Sequence, residues 1–248
     1  MPAPRHLRNA PIREAIIDYR VKARPDLKAE DLGALRPELA KSFPRIEDRR
    51  AGTVTLEIAQ GVAKPPRVED LGLQGFFAHS ADSKTIVQCR VDGFTFNRLR
   101  PYSNWEELFP IAARLWTLYR GIASPEAITR LAVRYINHIE LPPELKDFDD
   151  YLRAGPVIPA ELPQHLSAFF TRITISDPAT EIAANIVQGL QVDVATKKLA
   201  VILDIDAYKG VDLPPDSAEI DAIFERLRDF KNLVFFNTVT DLTLDLFQ

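Results

Sequence analysis

The chain is short of the residues that build cofactor and metal sites. It has 248 residues but one cysteine, Cys89, and only 10 glycines. A single cysteine excludes an intramolecular disulfide and any cysteine-based zinc site. The four histidines, His6, His79, His138 and His165, include no H-x-x-x-H pair. Neither G-x-G-x-x-G nor G-x-x-x-x-G-K-[ST] occurs, which excludes the usual glycine-rich phosphate loops. No apolar run approaches the roughly 20 residues of a membrane helix. The opening M-P-A-P-R-H-L-R-N-A-P lacks the apolar centre of a secretion signal, so the cytoplasm is the expected location. Positive charge is not in excess either: 31 Lys and Arg meet 35 Asp and Glu, a net charge of -4. Nucleic-acid binders and polybasic membrane anchors are usually basic, so neither nucleic acid nor membrane is an expected partner.

What remains is an ordinary core-forming composition with 46% hydrophobic residues, punctuated by 19 prolines. A chain of this length folds without disulfide or metal. Residues 12–23 alternate, with Ala15, Ile17, Tyr19 and Val21 on one face, and predict a half-buried strand. Residues 29–43 carry Leu32, Leu35, Leu39 and Phe43 at helical spacing, with a break or kink predicted at Pro37. Residues 53–59 read as a strand with Val54, Leu56 and Ile58 inward, and 62–72 as a loop. Strands follow at 74–80 and 84–100, the second broken near Asp92-Gly93. Trp105, Leu108, Phe109, Ala112, Leu115, Trp116 and Tyr119 form the apolar stripe of a long helix. Ser103 and Glu106 predict its capping box, and Gly121 and Pro125 its end.

The second half runs in the same order. Residues 129–141 predict a strand, 144–153 a short helix, and 166–176, 181–194 and 198–209 three more strands. Residues 217–230 predict a helix capped by Asp216 or Ser217, with an apolar tail ending in another short helix. Ile16 and Leu131, Ser83 and Thr196, and Ser103 and Ser217 all stand about 114 residues apart. The expected fold is therefore α+β: a strand-helix-strand-strand-strand-helix unit, duplicated over 1–124 and 125–248 and packed as one pseudo-twofold globule. Each unit is a curved antiparallel sheet crossed by a long helix, of the helix-grip or TATA-binding-protein-like kind.

Several stretches carry a resemblance: N-A-P-I-R-E-A-I-I-D-Y-R-V from Asn9, G-F-T-F-N-R-L-R-P-Y-S-N-W from Gly93, W-T-L-Y from Trp116, R-L-A-V-R-Y-I-N-H-I from Arg130 and F-F-N-T-V-T-D from Phe235. Together the chain resembles a sporadically distributed family of uncharacterised bacterial proteins about as long as itself. The resemblance implies a full-length bacterial cytoplasmic protein and assigns no catalytic residue.

Arg98 and Arg100 share one strand face, and Arg130 and Arg134 another. Brought together, four guanidiniums would make an anion site, since arginine binds phosphate or carboxylate through two parallel hydrogen bonds. The bland alternative is a solvated face of arginines paired with nearby acids. Asp204 and Asp206 lie on one face, with Asp193 able to sit beside them. Cross-strand pairs with Arg130, Arg134 and Arg172 account for that face, and neither metal nor other cofactor is expected. His138 reads as a surface or interface hydrogen-bonding group, and Cys89 as a small buried hydrophobe. Phe94, Phe96, Arg98, Arg100, Tyr102 and Trp105 converge at a strand–helix junction, where a mixed ligand pocket is one outcome and a core edge the other.

These features suit a non-enzymatic binding or interaction module. Its surface would be the polar sheet face, open to a protein partner or a second copy, or the cleft between sheet and long helix. The competing expectation is an enzyme that handles phosphate or carboxylate with the four arginines and Asp204 or Asp206. A nucleic-acid-associated protein is the third. Convergence of the arginines and acids in a concave site would favour the enzyme; spread over a flat sheet they would exclude it.

Overall fold

A computed structural model of the chain describes residues 7–55, 58–59, 62–63, 67–145, 147–193, 196 and 198–248. Nine strands form one antiparallel sheet in the order β2-β5-β6-β7-β1-β8-β11-β10-β9. In chain order these are β1 (Ile12–Lys22), β2 (Arg45–Thr55), β5 (Arg67–His79), β6 (Thr85–Arg90), β7 (Gly93–Leu99), β8 (Ala127–Glu140), β9 (Phe170–Asp177), β10 (Ile182–Val192) and β11 (Leu199–Leu213). The short strands β3 (Ile58–Ala59) and β4 (Val62–Ala63) pair only with each other. The helices are α1 (Arg36–Leu39), α2 (Trp105–Ala123), α3 (Glu219–Thr238) and α4 (Asp241–Asp245).

One sheet face is covered by α2 and α3. Period-two alternation puts Ala15, Ile17 and Tyr19 of β1 on that face with no exposed surface. Register then sets Tyr19 opposite Phe94 of β7 and Leu131 of β8, and Ile17 opposite Phe96 and Val133. Tyr19 stacks on Trp116 of α2 at 4.3 Å between centroids and lies 4.9 Å from Phe224 of α3. This cluster ties both long helices to the two central strands. The Tyr19 hydroxyl finds no hydrogen-bond partner among the described residues, and burial pushes its pKa up. Tyr19→Phe keeps the ring stack and removes a stranded polar group. It is expected to raise stability by about 1 kcal/mol. Thermal denaturation checks this, and a clear loss of stability would refute it.

Some expected boundaries move. Residues 67–72, read as a loop, belong to β5: Arg67, Glu69 and Asp70 are exposed, so no apolar alternation marks the strand. Its partner β2 begins at Arg45 and is equally charged, and two register shifts bend the pair. The expected inward Val54, Leu56 and Ile58 lie outside the residues whose side chains are described. Pro37 does break its helix: a 3-10 turn over Asp31–Leu35 precedes α1, with the proline in the first turn. The helix expected over 144–153 shrinks to a 3-10 turn at Phe148–Asp150. The C-terminal tail captures that backbone instead, through Thr240 N to Tyr151 O and Arg153 N to Thr238 O.

The caps shift as well. Asn104, not Ser103, caps α2: its side chain accepts from Glu107 N and donates to Glu107 Oε1. Gly121 lies inside α2, which ends on Ser124 in the left-handed region at φ 43°. Neither Asp216 nor Ser217 is the N-cap residue of α3; Ala218 is, with Ser217 Oγ accepting from Glu219 N. The same helix runs on to Thr238, well past the expected end at residue 230.

Candidate functional site

On the sheet face opposite α2 and α3 the charges are paired across strands. Register places Asp18, Arg20, Arg130, Arg134, Asp204 and Asp206 there, from β1, β8 and β11. Arg130 grips Asp206 through both carboxylate oxygens at 2.9 and 2.8 Å. Arg134 grips Asp204 in the same way at 2.8 and 2.5 Å. Asn185 of β10 donates to Asp206, and Thr174 of β9 donates to Asn185. Toward the other edge, Asp18 accepts from Thr95 at 2.5 Å and from Arg20 at 3.1 Å. Arg90, 3% exposed, reaches Thr95 at 2.6 Å, Asp92 at 2.9 Å and Asp18 at 3.4 Å. The result is a polar lattice running from β6 to β9.

That lattice answers the arginine question. Arg98 shares the helix-covered face with Phe96, opposite Ala15 and Thr85, and donates to Thr85 Oγ1 at 2.8 Å. Arg130 and Arg134 point to the other face, so the four arginines cannot form one anion site. Phe96 is buried in the core rather than placed on a ligand surface. Arg130 and Arg134 are paired with Asp206 and Asp204 across the strands. Among the described residues no His, Cys, Asp and Glu cluster suits a metal. Cys89 is buried, and desolvation pushes its thiol up to about 12.

The concave features lie elsewhere, where the N-terminal segment passes the start of α2 and the middle of α3. A cavity of about 320 Å³ is lined there by Arg8, Tyr102, Trp105, Tyr135, Arg228 and Lys231, among others. A second hollow, about 530 Å³, adjoins it and includes Arg100, Tyr102, His138 and Glu140. Of the six expected ligand residues, Tyr102 lines both hollows and Arg100 one. Phe96, Arg98, Arg130 and Arg134 line neither. His138 is half-buried beside Arg100, and desolvation, then Arg13, lowers its pKa.

Lys231 is the unusual member of the first cavity. It projects from α3 and is 6% exposed. Its Nζ donates to Asn232 Oδ1 at 2.6 Å and sits 3.7 Å from the centroid of the Tyr135 ring. Among the described residues no carboxylate forms an ion pair with it. Burial and the neighbouring Arg228 drive its pKa well below the ordinary lysine value, against a smaller opposing pull from Asp229. The ring face and the amide favour the ammonium, but neither replaces the water an ammonium loses on burial. Above the lysine, the Tyr102 and Tyr135 hydroxyls are 2.9 Å apart, and burial raises both phenols.

Arg228 precedes Lys231 by one helical turn. It reaches Glu225 at 3.1 Å and Glu106 at 3.3 Å, and lies over the Trp105 ring at 5.9 Å. Trp105 Nε1 donates to Glu225 at 2.6 Å, which fixes the wall between α2 and α3. The Arg228 Nε group is buried with no hydrogen-bond partner among the described residues.

Sequence reasoning misses Lys231 because the helix predicted over 217–230 stops one residue before it, whereas α3 runs on to Thr238. The stripe continues through Leu227, Lys231, Val234 and Phe235, all buried except at the lysine head's cavity contact. A lysine standing at an apolar stripe position was the available signal.

No family model, no curated protein and no solved structure matches the chain.

Proposed function

We propose that the protein is a bacterial cytoplasmic binding module whose ligand is a small organic molecule held in the Lys231 cavity. The observation that carries this is Lys231 itself, buried in a cavity wall without a carboxylate partner. Burying an unpaired amine is costly, and such groups concentrate at sites that use them. The walls add aromatic surface from Tyr102, Trp105 and Tyr135 and a cationic rim from Arg8. Walls that mix aromatic surface with directed polar and charged groups suit a small ligand that carries both. This reading places the ligand in the cleft between sheet and long helices rather than on the polar sheet face. That face already satisfies its own charges, which also argues against nucleic acid there.

In the same reading, 1–124 and 125–248 are copies of one helix-grip-like unit. Outward from β1 stand β7, β6 and β5; outward from β8 stand β11, β10 and β9. A long helix follows each set in the chain. This mirrored order supports a duplication.

Titration with 8-anilinonaphthalene-1-sulfonate, an aromatic anion, tests the cavity. Saturable fluorescence enhancement at one site per chain is expected. Ala10→Trp, which places a large side chain on the cavity lining, is expected to weaken binding by at least ~10-fold, about 1.4 kcal/mol. Equal binding by the variant would remove the cavity from the account.

A further inference from the structure

We infer that Lys231 captures a small aldehyde or ketone bearing a carboxylate, forming an imine through its Nζ. This rests on the cavity reading above and specifies what the cavity takes. Three features converge on it. First, Lys231 lines a cavity although the residue is 6% exposed, which puts a buried amine-bearing side chain beside space for a ligand. Second, Arg228 lines the same cavity one turn away, and its buried Nε–H lacks an acceptor. Arg228 and Arg8 put two guanidiniums on the cavity lining, and a carboxylate on the ligand is the best match for a guanidinium. Third, the rings of Tyr102, Trp105 and Tyr135 offer flat apolar walls to the carbon skeleton between those two ends.

The environment also sets the amine's reactivity. Facing it are Arg228 and Asp229 from α3, Tyr135 from β8, Tyr102 and Glu106 around the start of α2, and Arg8 from the N-terminal segment. Desolvation and Arg228 favour the neutral amine, the nucleophilic form. The step balances without an oxidant. The amine lone pair forms a C–N bond to the carbonyl carbon, and the carbonyl oxygen takes up protons from the amine. It leaves as water, giving the C=N bond. Hydrolysis reverses the step, so the adduct is a reversible capture.

The experiment uses the whole chain near neutral pH with 4-carboxybenzaldehyde and cyanoborohydride, which reduces an imine to a stable amine. Peptide mapping by mass spectrometry locates the adduct. Lys231 is expected to be modified at least ~10-fold faster than exposed lysines such as Lys22 and Lys41, because ordinary lysines are almost wholly protonated there. Lys231→Met removes the adduct, and Ala10→Trp removes it with the lysine still present. Benzaldehyde, lacking the carboxylate, is expected to react more slowly at this site; equal rates would overturn the Arg228 part of the inference. Modification spread over exposed lysines with Lys231 untouched would overturn imine capture. If the naphthalene sulfonate still binds in that case, the cavity reading stands and only the covalent step falls; if neither probe binds, both fall.

Discussion

Arg90→Met is expected to destabilise the protein by about 1–3 kcal/mol, because it leaves the buried Thr95 hydroxyl and Asp18 carboxylate each one partner short. Arg90 is 3% exposed, and Asp18, which it contacts across β7, is 8% exposed. Around them, Thr95 donates to Asp18 and accepts from Arg90, so the three side chains form one closed unit. Removing the guanidinium leaves Asp18 with Arg20 and with Arg130, the latter at 3.4 Å and already engaged by Asp206. Removing both charged partners is a different matter. The double variant Asp18→Leu with Arg90→Met is expected to cost less than the sum of the single changes, since no buried charge is then left alone. Urea denaturation of the four proteins at one pH measures the coupling. Additive effects, or a single-variant loss under about 1 kcal/mol, would show that the lattice is a surface ornament rather than part of the core.

Lys231→Met is expected to act in the opposite direction and stabilise the protein by about 1–3 kcal/mol near neutral pH. Methionine fills a similar volume and leaves no buried amine. The pH dependence follows from the lowered pKa. In the unfolded chain the lysine titrates near 10.5, while in the folded chain it titrates well below that. Between those two values the unfolded state holds a proton the folded state lacks, so wild-type stability rises with pH. The advantage of the variant is therefore greatest at and below the folded pKa and narrows as pH climbs toward 10.5. Thermal denaturation of both proteins from neutral to alkaline pH reads this directly. A variant less stable than wild type, or a gap that widens with pH, would mean that Lys231 is charged and well solvated in the fold.

Set beside each other, the two predictions describe two kinds of buried charge. The Asp18–Arg90 pair is satisfied on every side and belongs to the scaffold. Lys231 is not matched by an opposite charge, and a residue that lowers stability in a cavity wall is a reasonable place to look for function.

The strands were legible where one face is buried. Alternation in β1 puts Ala15, Ile17, Tyr19 and Val21 on one face, and all are buried. Strands β2 and β5 were hard to read at their exposed ends, because a strand solvated on both faces has no alternation to show. Of the site, Tyr102 and Arg100 were legible from their place at a strand–helix junction. Lys231 and Arg228 were not, because their importance depends on how deeply α3 settles over β8.

The sequence by itself determined the α+β class, the parity of the central strands and the absence of glycine phosphate loops. Each follows from local geometry: a pleat alternates and a helix repeats every few residues. Only the tertiary structure decided which charges meet. Asp18 and Arg90 are 72 residues apart in the chain, and Trp105 and Glu225 are 120 apart. Their pairing depends on strand register and on the seating of the helices. It was also the tertiary structure that buried Lys231 in a cavity wall, and the water that packing removed is what lowers its pKa.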